Sequence, residues 1–120
     1  MAKVTERGWP SHFVSAHKCL FRRNTLIEGD CDSVVVSTVG LMLNKETMEI
    51  EQIGVNRYYE TIVFGAKEEG HYIEADVGDE RCPDSQSTIM ANSVYDLPEG
   101  VDNIANEMHD KIVAEFLARL

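Results

Sequence analysis

A chain of 120 residues with 43% hydrophobic residues can bury one core and is short for two, so we expect a single domain over residues 1–120. Its formal net charge of −10 argues against binding to DNA or RNA, because that needs a basic surface to displace counterions from phosphates. The same charge fits an acidic protein that occupies a basic partner.

The three cysteines are widely spaced and form no C-x-x-C pair, so the sequence indicates neither a disulfide scaffold nor a zinc ribbon. The first ten residues, MAKVTERGWP, lack the apolar run of a signal peptide. No stretch of the sequence reaches the roughly 20 apolar residues that a membrane span needs. We therefore expect a cytoplasmic protein without a membrane partner.

The first part of the predicted sheet follows a polar lead-in over residues 1–11. Residues 12–28 are rich in apolar residues and are too long for one regular strand, so we expect a bend or bulge near Lys18 or Arg23. Residues 34–43, VVVSTVGLML, are almost continuously apolar and predict a central strand. Gly40 inside that strand indicates a bulge or a close backbone approach.

Alternating patterns continue over residues 48–55, 57–66 and 71–77, which gives about five antiparallel strands over residues 12–77. The pattern is lost over residues 78–98, which predicts a long loop. The last segment, residues 99–120, predicts an amphipathic helix with an apolar stripe at helical spacing: Val101, Ile104, Ala105, Met108, Ile112, Phe116 and Leu120. The fold class that follows is α+β, with an antiparallel sheet, a loop and a C-terminal helix.

Enzyme chemistry has weak support in this sequence. His17 and Cys19 lie two apart, but on a strand their Cα atoms are about 6–7 Å apart, which is poor geometry for a nucleophile and its base. The histidines and cysteines show no familiar metal spacing, and His109 reads as a surface or interface histidine. No glycine-rich phosphate loop occurs. We therefore expect no catalytic residues, no metal and no cofactor.

Arginines among core-type residues are the feature most in need of explanation. Arg22 and Arg23 point to opposite faces of a regular strand, and Arg57 begins another strand beside Tyr58 and Tyr59. A guanidinium offers a planar set of donors to phosphate oxygens, and a tyrosine ring offers a surface on which a base can stack. Two interpretations stay open: the arginines line an anion pocket, or each pairs with a carboxylate.

Asparagines offer a paired donor and acceptor, so Asn24 and Asn92 are candidates for reading the edge of a base. The sheet has two faces and the single helix covers one of them, while residues 34–43 are apolar on both sides. A homo-oligomer, most simply a two-fold dimer, would cover the second face and place pockets at a subunit boundary.

The pieces FRRNTL, NRYYE and IMAN, together with a sheet followed by a terminal helix, resemble the first Thoeris anti-defence family of phage and prophage proteins. The resemblance covers most of the chain. It implies a non-enzymatic protein that sequesters cyclic ADP-ribose signals made by bacterial TIR-domain immune enzymes. It also implies oligomers built from dimers, separate sites for cyclic oligonucleotides in some relatives, and a location in the cytoplasm of an infected or lysogenic bacterial host.

Carried onto this chain, the resemblance assigns phosphate contacts to Arg22, Arg23 and Arg57 and adenine recognition to Asn92. His17 would join a second anion site with Arg23. The competing hypothesis is an acidic interaction protein that inhibits a basic partner by charge mimicry, for which the net charge of −10 is the motive. A third is an oligomeric enzyme or virion component whose site the sequence does not identify.

Overall fold

The structure is a computed structural model that describes residues 2–7 and 17–120. Within these ranges the chain forms one antiparallel sheet and one long helix, which confirms the α+β class. The strands are β1 Lys3–Arg7, β2 Cys19–Glu28, β3 Ser33–Asn44, β4 Glu49–Glu51, β5 Arg57–Glu69, β6 Tyr72–Arg81 and β7 Thr88–Met90, followed by a 3-10 turn, Val94–Asp96, and helix α1, Val101–Arg119.

The strand order is β1-β2-β3-β5-β6, with β4 paired to β3 and β7 paired to β5. Strand β3 lies at the centre and pairs with β2 on one side and β5 on the other. Its β-branched run, Val34–Val36, is fully buried, as expected for a strand with neighbours on both sides.

Two predicted boundaries are wrong. The lead-in contains β1, whose polar sequence KVTER is tolerated because it pairs along one edge only. The predicted loop over residues 78–98 contains the end of β6, whose last four residues, GDER, are not apolar, and all of β7, whose three residues are too few to show an alternating pattern. Residues 12–16 of the predicted first strand lie outside the described residues, and β2 begins at Cys19.

Gly40 confirms the predicted close approach. A Cβ at this position would lie 2.1 Å from Cδ2 of Tyr59, the cross-strand partner of Gly40 on β5. The Tyr59 ring occupies this space and its hydroxyl donates to Oδ1 of Asp102 at 2.5 Å. The missing side chain of Gly40 therefore lets Tyr59 tie the sheet to the first turn of α1.

The irregularity expected in β2 lies between the two predicted positions. Cys19 pairs with Met42 and Phe21 with Gly40, while Leu20 has no partner in this register. The residue that would face Leu20 is Leu41, which has a φ of 54°. This left-handed conformation is uncommon for leucine. Because the register is the same on both sides of it, the irregularity is a local distortion of β3 and not a bulge with an extra residue.

One face of the sheet, here called the helix face, packs against α1. Its buried side chains include Phe21, Ile27, Val34, Val36 and Val63, and those of α1 are Ala105, Met108, His109, Ile112 and Phe116. Two residues of the predicted apolar stripe, Ile104 and Leu120, are 41% and 37% exposed. His109 is among these buried residues and is 0% exposed, so the surface position predicted for it is wrong.

The opposite face, here called the second face, is also buried at its centre within the single chain. Asn24, Val35 and Ser37 are each 0% exposed. The Arg7 guanidinium of β1 donates to Oδ1 of Asn24 at 2.9 Å and to the backbone carbonyl of Ile73 in β6. The two outer strands therefore approach each other across this face and the sheet is curled.

The sequence predicts a dimer because a second copy would cover the second face of the sheet. In the curled sheet the centre of that face is already buried within one chain, so this reason no longer applies. The homo-oligomer itself stays a prediction. In the described part of the chain, no helix is long and apolar enough to cross a membrane.

Candidate functional site

Arg23 lies on the helix face and is neutralised there. Its Nε and Nη2 donate to the two carboxylate oxygens of Glu6 at 3.0 Å each, and its Nη1 donates to Oδ1 of Asp110 at 2.8 Å. A third contact runs from Nη1 to Oδ1 of Asn106 at 3.3 Å. Of the two interpretations of the arginines, Arg23 therefore follows the second: it pairs with carboxylates.

A line of buried hydrogen bonds continues from Glu6 through the helix–sheet interface. Thr25 donates to Oε2 of Glu6 at 2.6 Å and lies 2.7 Å from Nε2 of His109. On the other side of the ring, Nδ1 lies 2.6 Å from the hydroxyl of Thr38, which in turn lies 2.6 Å from that of Thr61. The line joins β1, β2, β3, β5 and α1.

The chemistry of the groups sets the direction of these bonds. The only proton of the Thr25 hydroxyl goes to the Glu6 carboxylate, so Thr25 must accept from Nε2–H of His109. A neutral imidazole then has a bare Nδ1, which accepts from Thr38. Thr38 in turn accepts from Thr61. His109 is therefore held as the Nε2–H tautomer.

The electrostatics agree with a neutral ring. Burial first, and then the positive charge of Arg23, lower the pKa of His109 to about 4. Burial alone would raise the pKa of Glu6, but hydrogen bonds from Arg23 and Thr25 hold that pKa below its usual value. Since Thr38 and His109 are 0% exposed and Thr25 is 1% exposed, a substrate cannot reach them. This network is structural.

Arg22 and Arg57 have a different setting, at one end of the second face. In register across the sheet, Arg22 pairs with Val39 and Val39 with Glu60. The Arg57 guanidinium donates from Nη1 to Oε1 of Glu60 at 2.7 Å. Arg22 is exposed and has no carboxylate within ion-pair distance among residues 2–7 and 17–120. Arg57 therefore contacts Glu60, and Val39 separates Glu60 from Arg22.

Glu60, which pairs in register with Val39, has a partly buried carboxylate. Burial raises its pKa, Arg57 lowers it, and the nearby Glu80 raises it again, so that the pKa is above the usual value. Its side chain is 16% exposed and that of Arg57 is 40% exposed. The Arg57 guanidinium thus keeps part of its surface open to solvent.

Asn92 lies beside the same end of β5. Arg57 pairs in register with Met90 of β7, and the backbone N–H of Ala91 donates to the carbonyl of Asn56 at 2.9 Å. Asn92 follows directly and is exposed. The backbone pairing thus places Asn92 at the same end of β5 as Arg57.

A small apolar cluster borders this end of the second face. It contains the buried Cys19 and Val39 with Met42 and Ile53 packed against them. Met42 also lines a groove of about 440 Å³, together with His17, Lys18, Leu43, Asn44, Lys45, Glu46 and Glu51. The charged side chains of the groove are two lysines, Lys18 and Lys45, and two carboxylates, Glu46 and Glu51, and Arg22 lies beside Val39 of the cluster.

Among the five predicted site residues, His17 lines the groove of about 440 Å³. Arg22, Arg57 and Asn92 lie on open surface near that end of the sheet, whereas Arg23 is on the helix face. Whether any of the five binds a ligand stays a prediction.

Lys18 and Lys45 were missed by the reading of the sequence. Lys45 is in the β3–β4 hairpin, and the pairing of Cys19 with Met42 brings that hairpin alongside Lys18. The hairpin was predicted, but the strand register that joins the two lysines was not. Glu6 was missed because residues 1–11 read as a lead-in: KVTER has one clearly apolar residue, Val4, and shows no alternation that would indicate a strand.

In residues 2–7 and 17–120, no group of three or more metal-ligating side chains lies close enough together to hold an ion. Comparison of the chain with models of known protein families, with curated proteins and with solved structures found no match.

Proposed function

We propose that this protein is a non-enzymatic binding protein that sequesters a small phosphorylated cyclic nucleotide of the cyclic ADP-ribose type, and so blocks bacterial anti-phage immunity. The observation that carries the proposal is the set of basic side chains around the apolar cluster of Cys19, Val39, Met42 and Ile53. The groove lining balances Lys18 and Lys45 against Glu46 and Glu51, and Arg22 beside the cluster adds one positive charge. In a chain of net charge −10, this end of the sheet therefore repels an anion less than the rest of the surface does.

The groups match the parts of such a ligand. Lys18, Lys45 and Arg22 carry positive charge for the phosphates, and Arg supplies the planar donor set that suits their oxygens. Met42 and Ile53 offer apolar surface to a base, and Glu51 in the groove can accept hydrogen bonds from ribose hydroxyls. The groove volume of about 440 Å³ is in the range of small-molecule sites.

The proposal extends to the other residues that the resemblance assigns. Arg57 and Asn92, beside the same end of β5, would complete the site, with Asn92 on the base. Arg23 would need to leave Glu6 and Asp110 before it could contact a ligand. We include an oligomer built from dimers and the cytoplasm of an infected or lysogenic bacterial host in the proposal.

Isothermal titration calorimetry against cyclic ADP-ribose isomers and cyclic di- and trinucleotides tests the binding. We expect one member of this set to bind. Lys45→Glu should lower the affinity for that ligand by about tenfold or more, because one charge-assisted contact is lost. Lys67→Glu, which makes the same charge change on the distant β5–β6 hairpin, is the matched control and should bind normally. Absence of heat with every ligand would refute the proposal.

Sequestration without conversion needs a separate measurement. The bound ligand is released by heating the protein and is then identified by mass spectrometry. Recovery of the unchanged ligand after long incubation supports sequestration. A hydrolysed product would show instead that the protein is an enzyme.

The acidic interaction protein stays a second candidate because carboxylates are concentrated on the β5–β6 hairpin. Its exposed or half-exposed carboxylates include Glu68, Glu69, Glu74, Asp76, Asp79 and Glu80. Capture of a basic protein that is lost at high salt and lost in a Glu68→Lys, Glu69→Lys variant would favour this candidate. Normal small-ligand binding by the same variant would assign the hairpin and the groove to separate roles.

A further inference from the structure

A separate cavity of about 260 Å³ lies between α1 and the segment that leads into β7. It is lined by Ser85, Gln86, Ile89, Ile104, Glu107, Met108 and Lys111. It shares no lining residue with the groove that carries the proposed function. A ligand here would therefore be recognised independently.

The inner part of the cavity is apolar. Ile89 and Met108 are 7% and 6% exposed and belong to the core, while Ile104 is 41% exposed at the mouth. An exposed isoleucine beside a hollow leaves apolar surface in water that an apolar group of a ligand would cover. The cavity is slightly smaller than typical drug-sized sites, which begin at about 300 Å³, so a compact ligand fits best.

The rim carries one charge of each sign. Glu107 and Lys111 are one helical turn apart, yet among the described residues neither forms an ion pair with the other or with a third group. Gln86 donates from Nε2 to the carbonyl of Thr88, which leaves its Oε1 as an acceptor. The rim thus offers a cation, a carboxylate and an amide oxygen around an apolar floor.

We propose that this cavity binds a free α-amino acid with an apolar side chain of about the size of leucine. The side chain would lie on Ile89 and Met108, the carboxylate would contact Lys111, and the ammonium group would contact Glu107 and Gln86. Such a ligand has the three groups that the rim and floor complement, and a charge-neutral ligand avoids the repulsion that an acidic protein exerts on simple anions.

The test is a titration of the ¹⁵N-labelled full chain, followed by NMR, with three ligands: leucine, leucine amide and 4-methylpentanoate. Leucine amide lacks the carboxylate and 4-methylpentanoate lacks the ammonium group. We expect leucine to bind with a dissociation constant at or below about 1 mM and to shift resonances of residues 85–89 and 104–111. Each analogue should bind at least about tenfold more weakly, because one charged contact is lost.

Two variants locate the site without disturbing the core. Lys111→Met should remove the preference for leucine over leucine amide, and Lys67→Met, on the β5–β6 hairpin, should keep it. Ile104→Gln, at the partly exposed mouth of the cavity, should lower the affinity for leucine and for both analogues by the same factor. Shifts spread outside residues 85–111, equal affinity for leucine and both analogues, or no binding of leucine would each overturn the proposal. A failure of nucleotide binding would leave these results unaffected.

Discussion

Acid should weaken this protein through His109, because the folded state holds the ring neutral. In the unfolded chain the imidazole has its ordinary pKa of 6.5, and in the folded protein its pKa is lowered to about 4. The depressed pKa means that the unfolded chain binds the proton more readily. The contribution of neutral His109 to the free energy of unfolding is therefore complete above pH 6.5 and is lost as the pH falls towards about 4.

The size of this loss follows from the two pKa values. They differ by about 2.5, and each unit is worth about 1.4 kcal/mol, so protonation removes about 3 kcal/mol from the free energy of unfolding. We apply no reduction for solvent screening to this loss of about 3 kcal/mol, because His109 is 0% exposed. A cationic ring would also donate from Nδ1, which would force the Thr38 hydroxyl to reverse its direction. This effect is large beside the 5–15 kcal/mol that stabilises a typical domain.

The assay is urea unfolding followed by circular dichroism across this pH range, with His109→Gln as the control. A glutamine amide can donate to Thr25 and accept from Thr38, as the neutral imidazole does, but it does not titrate. We expect the stability of the native protein to fall by about 3 kcal/mol more than that of the variant. Parallel losses in both proteins would refute the assignment of acid sensitivity to His109.

Three further changes test the packing around this network, each by urea unfolding at neutral pH. Gly40→Ala should lower the free energy of unfolding by about 1–3 kcal/mol, because the new Cβ overlaps the Tyr59 ring. Thr38→Val should lower it by about 1–3 kcal/mol, since it removes a buried donor without changing the shape of the side chain. Arg23→Ala should lower it by up to about 1 kcal/mol, because it removes the cation that contacts the half-exposed carboxylates of Glu6 and Asp110. A stability within experimental error of the native protein would contradict the reasoning in each case.

The sheet could be predicted from the sequence wherever burial dictates the residues. The run at Val34–Val36 is apolar because β3 is covered on both faces, and the absence of a side chain at Gly40 indicated a close approach that Tyr59 provides. Strand β1 could not be found in this way. Its residues are half-exposed and polar, and it is a strand because it pairs with β2, a partner that its own pattern does not specify.

The sequence predicts on which face of a strand each arginine lies, but it does not predict what each arginine contacts. Alternation along β2 placed Arg22 and Arg23 on opposite faces, which the structure confirms. Which face receives the helix depends on contacts between distant segments. Since Asp110 of α1 and Glu6 of β1 both arrive on one side, Arg23 is neutralised and Arg22 is not.

Arg22 and Arg23 therefore differ in their capacity to bind an anion. A guanidinium that contacts two carboxylates has little capacity left for a phosphate, and to release it would uncover Glu6 beside the buried Thr25. Arg22 has no such commitment, so it can meet an anion without disturbing the core. If the protein binds a phosphorylated ligand as proposed, Arg22→Ala should lower affinity and leave stability unchanged, while Arg23→Ala should lower stability. Equal losses of affinity in the two variants, at equal stability, would mean that both arginines reach the ligand and that the helix face opens to admit it.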